Sequence, residues 1–83
     1  MELLSAVARN LERHADALER LAEELSRSRP ADGTAAAREW SKQGIEDRIR
    51  DARREARLAR RAKLRVEDAQ TRHGESADER AAA

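Results

Sequence analysis

The 83-residue chain contains no cysteine, tyrosine or phenylalanine, and it has only one tryptophan and one proline. Without cysteine it can form no disulfide, no Cys-based zinc site and no thiol nucleophile. Bulky apolar side chains are also scarce, because 18 of the 32 apolar residues are alanine. A chain this short, with so few large side chains, forms at most one small domain and gains little stability from its own core. The composition therefore predicts that the chain oligomerises or binds a partner.

Long apolar runs are absent as well. No stretch approaches the roughly 18 consecutive apolar residues of a membrane-spanning helix. Glu2 stands where a secretory signal would carry Lys or Arg. We therefore expect a soluble, unprocessed, cytoplasmic chain. Binding to a membrane surface is not expected either, because the helix face that would have to insert consists mostly of alanine.

The apolar residues of segment 1–28 follow a heptad repeat. Leucine recurs at every seventh position, and a second row three places later holds Val7, His14 and Leu21. This spacing predicts an amphipathic helix with an a/d interface of the coiled-coil type. The leucines expected in the interface with a partner are Leu4, Leu11, Leu18 and Leu25.

Two further features of this helix bear on its packing. A third heptad row, formed by Ala8, Ala15 and Ala22, widens the apolar stripe and would let a partner helix approach closely. His14 falls in the interface, where a polar side chain can fix the register between helices. A metal-binding role is not expected, because the Glu-x-x-His pairs of di-metal bundles are missing.

Segment 29–34 holds the only proline and an Asp-Gly pair, so it is predicted to form a turn. Thr34 can cap a second helix over segment 35–72. Gly44 could kink or split that helix, and we expect it to stay nearly continuous. Small and apolar residues recur along it at alternating steps of four and three, broken only by Lys63, which predicts a second interface. These residues are Ile45, Ile49, Ala52, Ala56, Ala59 and Val66.

A short turn between two helices favours an antiparallel arrangement. The predicted fold is therefore all-α, an antiparallel helical hairpin of the coiled-coil type. Reversal at residue 31 or 32 would place Leu18 beside Ile45, and segment 60–71 would extend past the end of the first helix. The last residues, 73–83, show no periodicity and are predicted to be a disordered acidic tail.

The apolar surface of the second helix is wider than one neighbouring helix covers. Trp40 and Leu58 lie on its flank, which extends the apolar arc to about half of the circumference. Together with the overhanging segment, this arc predicts a dimer or a four-helix bundle. Trp40 could stack on a nucleobase, but its position beside the turn favours a plug over the open end of the hairpin.

Charge is distributed very unevenly along the chain. The net charge of the whole sequence is +1, yet segment 48–66 carries nine basic and two acidic residues. Seven arginines fall on the side of the helix opposite the apolar arc. They form what we call the Arg row: Arg50, Arg53, Arg54, Arg57, Arg60, Arg61 and Arg65.

The Arg row predicts binding to the phosphate backbone of DNA or RNA. Arg53, Arg57, Arg61 and Arg65 follow one another at four-residue spacing, which costs a few tenths of a kcal/mol per like-charge pair. A polyanion would relieve that repulsion. Guanidinium groups bind phosphate through two parallel hydrogen bonds, and the displaced counterions favour association.

Two alternatives remain open for the same row. It could be an ordinary solvated face, since 16 of the 18 basic residues are arginine and four acidic residues of the first helix could neutralise part of it. It could instead bind an acidic protein partner, and the helical interfaces could recognise another helical protein, as in an adaptor or assembly subunit. The four acidic residues are Glu12, Asp16, Glu19 and Glu23.

Catalysis is not expected. The sequence has no Gly-rich phosphate loop, no nucleophile paired with a base, and no pair of carboxylates in a pocket-forming context. We accordingly predict a non-enzymatic protein that requires no cofactor and no metal.

Overall fold

The computed structural model describes the backbone of residues 2–82 and the side chains of residues 3–72. Over this range the chain forms three helices and no strand: α1 (Glu2–Arg27), α2 (Ala35–Lys42) and α3 (Ile45–Ala82). The long helices α1 and α3 pack against each other, and the short α2 contacts α3 at the turn end. The result is a rod of 71 × 14 × 14 Å. The predicted all-helical hairpin is confirmed.

The first helix ends and the second begins where the sequence predicts. After Arg27 the amide of Ser28 still donates to the carbonyl of Glu24 at 3.2 Å, and the chain then leaves the helix before the proline. Thr34 adopts extended dihedrals, and its Oγ1 accepts a hydrogen bond from the amide of Ala37 at 3.1 Å. This bond satisfies one of the unpaired amides at the start of α2 and confirms the predicted cap.

The second helix is not continuous, so the prediction of a nearly continuous helix through Gly44 is wrong. Gly44 has a φ of +66°, a left-handed conformation that glycine adopts at little steric cost. The helical hydrogen-bond pattern therefore ends at Gln43, and a new helix starts at Ile45. Helix α3 continues to Ala82, past the predicted boundary at residue 72. The predicted disordered acidic tail, 73–83, is therefore not confirmed, and it lies outside the residues whose side chains are described.

A line of alanines forms the contact between α1 and α3. Seven of the described residues are buried, and all but one are alanine. Because alanine side chains are short, the two helix backbones can approach closely along this line. Leu11, Leu18 and Leu25 pack beside it and are partly buried, with Leu18 touching both core clusters. The buried residues are Ala8, Ala15, Ala22, Ile49, Ala52, Ala56 and Ala59.

The heptad row that contains His14 lies outside this interface, contrary to the prediction. Val7 is 37% exposed, Leu21 is 48% exposed, and His14 is exposed as well. The alanine row of α1 lies on the line where the two helices are closest. In this orientation of α1 the leucine row lies at the side of the interface, and the row of Val7, His14 and Leu21 lies outside it. His14 therefore does not form a core layer that sets the register.

The register between the helices also differs from the short-turn expectation. Ser5 lies opposite Gln70, with the Oγ and Nε2 atoms 2.6 Å apart, and the Nζ of Lys63 donates to Glu12 at 2.9 Å. The difference arises because the connection includes the whole of α2, whereas a reversal at residue 31 or 32 was expected. Segment 60–71 consequently pairs with α1, so the predicted overhang is wrong.

Close approach along the alanine line predicts that Ala15→Leu destabilises the hairpin. Ala15 is fully buried, and the added methylenes would force the helices apart, at a cost of about 1–3 kcal/mol. Ala17→Leu is the matched control, because Ala17 is exposed on the same helix and leucine is a good helix former. Denaturant unfolding followed by circular dichroism measures both. Equal stability of the two variants would contradict this packing.

Candidate nucleic-acid interface

The side of the hairpin that carries the Arg row also carries the acidic residues of α1. A helix turns by about 100° per residue, so the acidic row lies to one side of the alanine line on α1. Because the helices are antiparallel, the basic residues of α3 lie on that same side. We call this side the charged face. Contacts across it join Glu12 to Lys63 and Asp16 to Arg60.

Arg60 is the member of the Arg row most involved in contacts within the chain. Its Nη2 atom donates to the Oδ1 of Asp16 at 2.9 Å and to the Oε2 of Glu19 at 3.1 Å. Its Nη1 atom also pairs with Glu19. The guanidinium is therefore held between two carboxylates of α1, and a phosphate would have to compete with both.

Two other members of the Arg row have lighter contacts. Arg50 pairs with Asp47 on its own helix, and the Nη2 of Arg53 donates to the Oγ of Ser26 at 3.3 Å. Arg53 and Arg57 line an open groove together with Glu19 and Glu23. The acidic residues of α1 thus lie beside part of the Arg row, in a position to neutralise part of its charge.

The remaining arginines are exposed on the outer side of α3. Among the side chains of residues 3–72, no salt bridge involves any of them, and each has a large solvent-accessible surface. Three of them lie between Glu55 and Glu67, a stretch of α3 that has no acidic residue. These four arginines, the outer Arg row, are Arg54, Arg57, Arg61 and Arg65.

The ion pairs between the helices shift the pKa values of their members. The hydrogen bond from Lys63 lowers the pKa of the Glu12 carboxyl, and the same bond raises the pKa of Lys63. At the turn end, Arg29 binds Glu46 through two hydrogen bonds of 2.6 and 2.8 Å, which lowers the pKa of the Glu46 carboxyl. The first pair joins α1 to α3, and the second joins the connection after α1 to the start of α3.

Trp40 closes the turn end of the hairpin. Its ring packs against the cluster of Ala22, Ile49 and Ala52, and its Nε1 donates to the Oε1 of Glu46 at 3.1 Å. This placement confirms the predicted plug. The sequence analysis missed the clamp that Glu46 forms with Arg29, because the two residues are 17 positions apart with no periodic relation.

Most residues predicted for a partner interface are used inside the hairpin. Ile49 is buried, and the core clusters are packed by Leu11, Leu18, Leu25 and Ile45. Leu58 is the exception, with half of its surface exposed. Leu4 and Val66 are of intermediate exposure. The predicted interface is thus largely the contact between α1 and α3.

The opposite side of the hairpin carries several exposed apolar side chains, with Asp51 and Glu55 of α3 beside them. Leu3 is 76% exposed, and it lies on the same side of α1 as Val7, His14 and Leu21. Leu58 and three smaller residues of α3 flank this row across the alanine line. We call these eight residues the apolar face: Leu3, Val7, His14, Leu21, Leu58, Ala62, Val66 and Ala69.

None of the helices in residues 2–82 has an apolar stretch long enough to cross a bilayer.

The ion pair between Glu12 and Lys63 predicts a specific pH dependence. A carboxyl whose pKa is lowered by folding stabilises the fold above its ordinary titration range, and this contribution disappears as the pH falls through that range. The raised pKa of Lys63 matters only at strongly alkaline pH. Glu12→Gln should therefore lower the melting temperature at neutral pH, and the difference from the parent should vanish in acid.

Glu24→Gln provides the control for this measurement. Glu24 is exposed, and it forms no salt bridge among the described side chains. Its melting temperature should follow that of the parent at every pH. A Glu12→Gln variant that also does so would show that the pair does not stabilise the hairpin.

Comparison with protein-family models, with curated proteins and with solved structures finds no match for this chain.

Proposed function

We propose that the chain is a non-enzymatic protein that binds the backbone of nucleic acid through the arginines of α3. The observation that carries this proposal is the outer Arg row, four exposed guanidinium groups without a carboxylate partner among the described side chains. From Arg50 to Arg65 the basic surface extends for about 22 Å at 1.5 Å per residue. A rigid row of this length suits a run of phosphates.

The chemistry of the row favours phosphate over the bases. Arginine binds phosphate through two parallel hydrogen bonds, and a row of arginines gains free energy from released counterions. The only aromatic residue, Trp40, is packed at the turn end, so the Arg row offers no ring on which a base could stack. We therefore propose binding without sequence readout, since backbone contacts carry no base information.

A protein partner is the second candidate, and the exposed leucines of the apolar face favour it. A contiguous apolar patch on a small soluble protein commonly marks an interaction surface. The partner would be a second copy of the chain or another helical protein, in which case the chain acts as an adaptor or assembly subunit. An acidic protein could also bind the Arg row. The thin alanine core supports self-association, although segment 60–71 does not overhang.

Replacing two arginines of the outer row tests nucleic-acid binding. Arg57→Gln with Arg61→Gln should preserve helicity, because glutamine is a good helix former and one like-charge contact is removed. Affinity for duplexes of any sequence should fall, and the slope of log K against log salt should decrease by about two, near one per lost contact. Fluorescence anisotropy with a labelled random duplex over a salt series gives both quantities.

Arg9→Gln with Arg13→Gln is the matched control. These arginines are also exposed and four residues apart, and their loss changes the net charge equally, but they lie on α1. The control should retain the slope of the parent. Absence of duplex binding by the parent, or equal losses in the two double variants, would exclude the outer Arg row as a specific binding surface.

A further inference from the structure

We propose that the apolar face binds the apolar face of a second copy, giving a four-helix bundle in which α1 of each chain lies against α3 of the other. This inference specifies the surface and the partner for the self-association considered under the proposed function. It does not depend on nucleic-acid binding. The surface differs from the leucine and alanine rows expected from the sequence, which are used within the hairpin.

The composition of the apolar face indicates a helical protein surface as its partner. Its α1 half contains Leu3, Val7 and Leu21, which are 76%, 37% and 48% exposed. His14 is the only titratable residue in that half. The interhelical ion pairs involving Arg60 and Lys63 are all on the charged face. The apolar face is thus the side of the hairpin that loses least by leaving water.

The two halves of the face differ in side-chain size, and this difference favours a second copy. The α1 half presents large side chains, whereas the α3 half presents alanine at positions 62 and 69. A two-fold axis parallel to the helices places the α1 half of one chain over the α3 half of the other. Large side chains then meet small ones twice, by symmetry.

The register inside the hairpin sets which residues would meet. Ser5 is level with Gln70 in one chain, and a two-fold axis along the helices preserves these levels. Val7 would therefore lie within about one residue of the level of Ala69 of the second copy, and His14 within about one residue of the level of Ala62. Every pair of adjacent helices in the bundle would be antiparallel, as α1 and α3 already are. Asp51 and Glu55 are the charged residues that this arrangement brings close to the contact, because they lie seven residues before Leu58 and Ala62 on the same rows of α3.

The size of the face is close to what a stable dimer requires. From Leu3 to Leu21 it measures about 27 Å at 1.5 Å per residue, and two helices of about 10 Å give a width of about 20 Å. The flat footprint is roughly 540 Å², and side chains add to its accessible area. Stable interfaces bury about 800 Å² per partner. A single foreign helix would cover only half of that width.

Dimerisation through this face would leave most of each Arg row on opposite outer sides of the bundle. Arg57 and Arg61 point away from the two-fold axis, whereas Arg65, seven residues after Leu58, lies at the edge of the contact. Each dimer would then present two basic surfaces, and it could hold two nucleic-acid segments at once.

Sedimentation equilibrium of the full chain at micromolar concentration tests the proposal. The parent should have twice the 9.4 kDa mass of one chain. Leu58→Glu, on the apolar face, should reduce the mass by half. Leu64→Glu is the matched control, because Leu64 is 64% exposed on the same helix but lies among the arginines of the charged face. It should remain dimeric.

Leu21→Glu repeats the test from α1, and circular dichroism checks that every variant stays helical. A monomeric parent would overturn the proposal, as would a helical Leu58→Glu or Leu21→Glu variant that remains dimeric. Equal dissociation of Leu64→Glu would also overturn it, since added charge alone would then be the cause.

Duplex binding by the same variants separates the two proposals. Leu21→Glu lies on α1, away from the Arg row, so its duplex binding per chain should equal that of the parent. A dimer that binds no duplex would refute the nucleic-acid proposal alone. A monomeric parent that still binds duplex would refute the dimer alone.

Discussion

The contact of alanine against alanine between α1 and α3 determines the rest of this structure. Ala15 meets Ala56 and Ala59, and such short side chains allow a close approach only when both helices turn their alanines toward each other. This requirement fixes the rotation of each helix. The rotation then places the acidic row of α1 beside the basic residues of α3, and it places the leucines and Val7 on the opposite side.

The two sides of the hairpin consequently have different roles. On the charged face, Glu12 with Lys63 and Asp16 with Arg60 form pairs that exist in one register only. Because these side chains are partly exposed, we regard the pairs mainly as a constraint on register. The same pairing divides the basic residues, since Arg60 is held by α1 whereas the outer Arg row remains available. On the apolar side, Leu3 and Leu58 are 76% and 50% exposed in the described part of the chain.

Local features of the fold were predictable from the sequence, whereas the rotation and the register were not. The cap at Thr34, the end of α1 and the small residues of the second interface depend on neighbours within a few positions. In α1 the leucine row could face α3 together with either of its two neighbouring rows, that of His14 or that of Ala15. Both rows have the same seven-residue period, so periodicity does not distinguish them. The alanine row prevails because Ala52, Ala56 and Ala59 present equally small side chains from the other helix.

The position of the Arg row was likewise predictable, whereas the pairing of Arg60 with two carboxylates of α1 was not. Helical spacing is sufficient to place seven arginines away from the apolar arc. Knowing which of them meets a carboxylate requires the register, which depends on the length of the connection. That length includes α2, because Gly44 ends this helix and α3 starts afresh at Ile45. The clamp between Arg29 and Glu46 depends on the same reversal.

The register is the central claim, and cross-linking within one chain tests it most directly. The chain has no cysteine, so a pair can be introduced at chosen positions. The variant Ser5→Cys with Gln70→Cys should be joined within one chain by a short thiol-specific cross-linker, because these side chains lie in contact. The variant Leu4→Cys with Ala59→Cys, the pair that a reversal at residue 31 or 32 would bring together, should not be joined. Efficient cross-linking of the second pair and not the first would contradict the account.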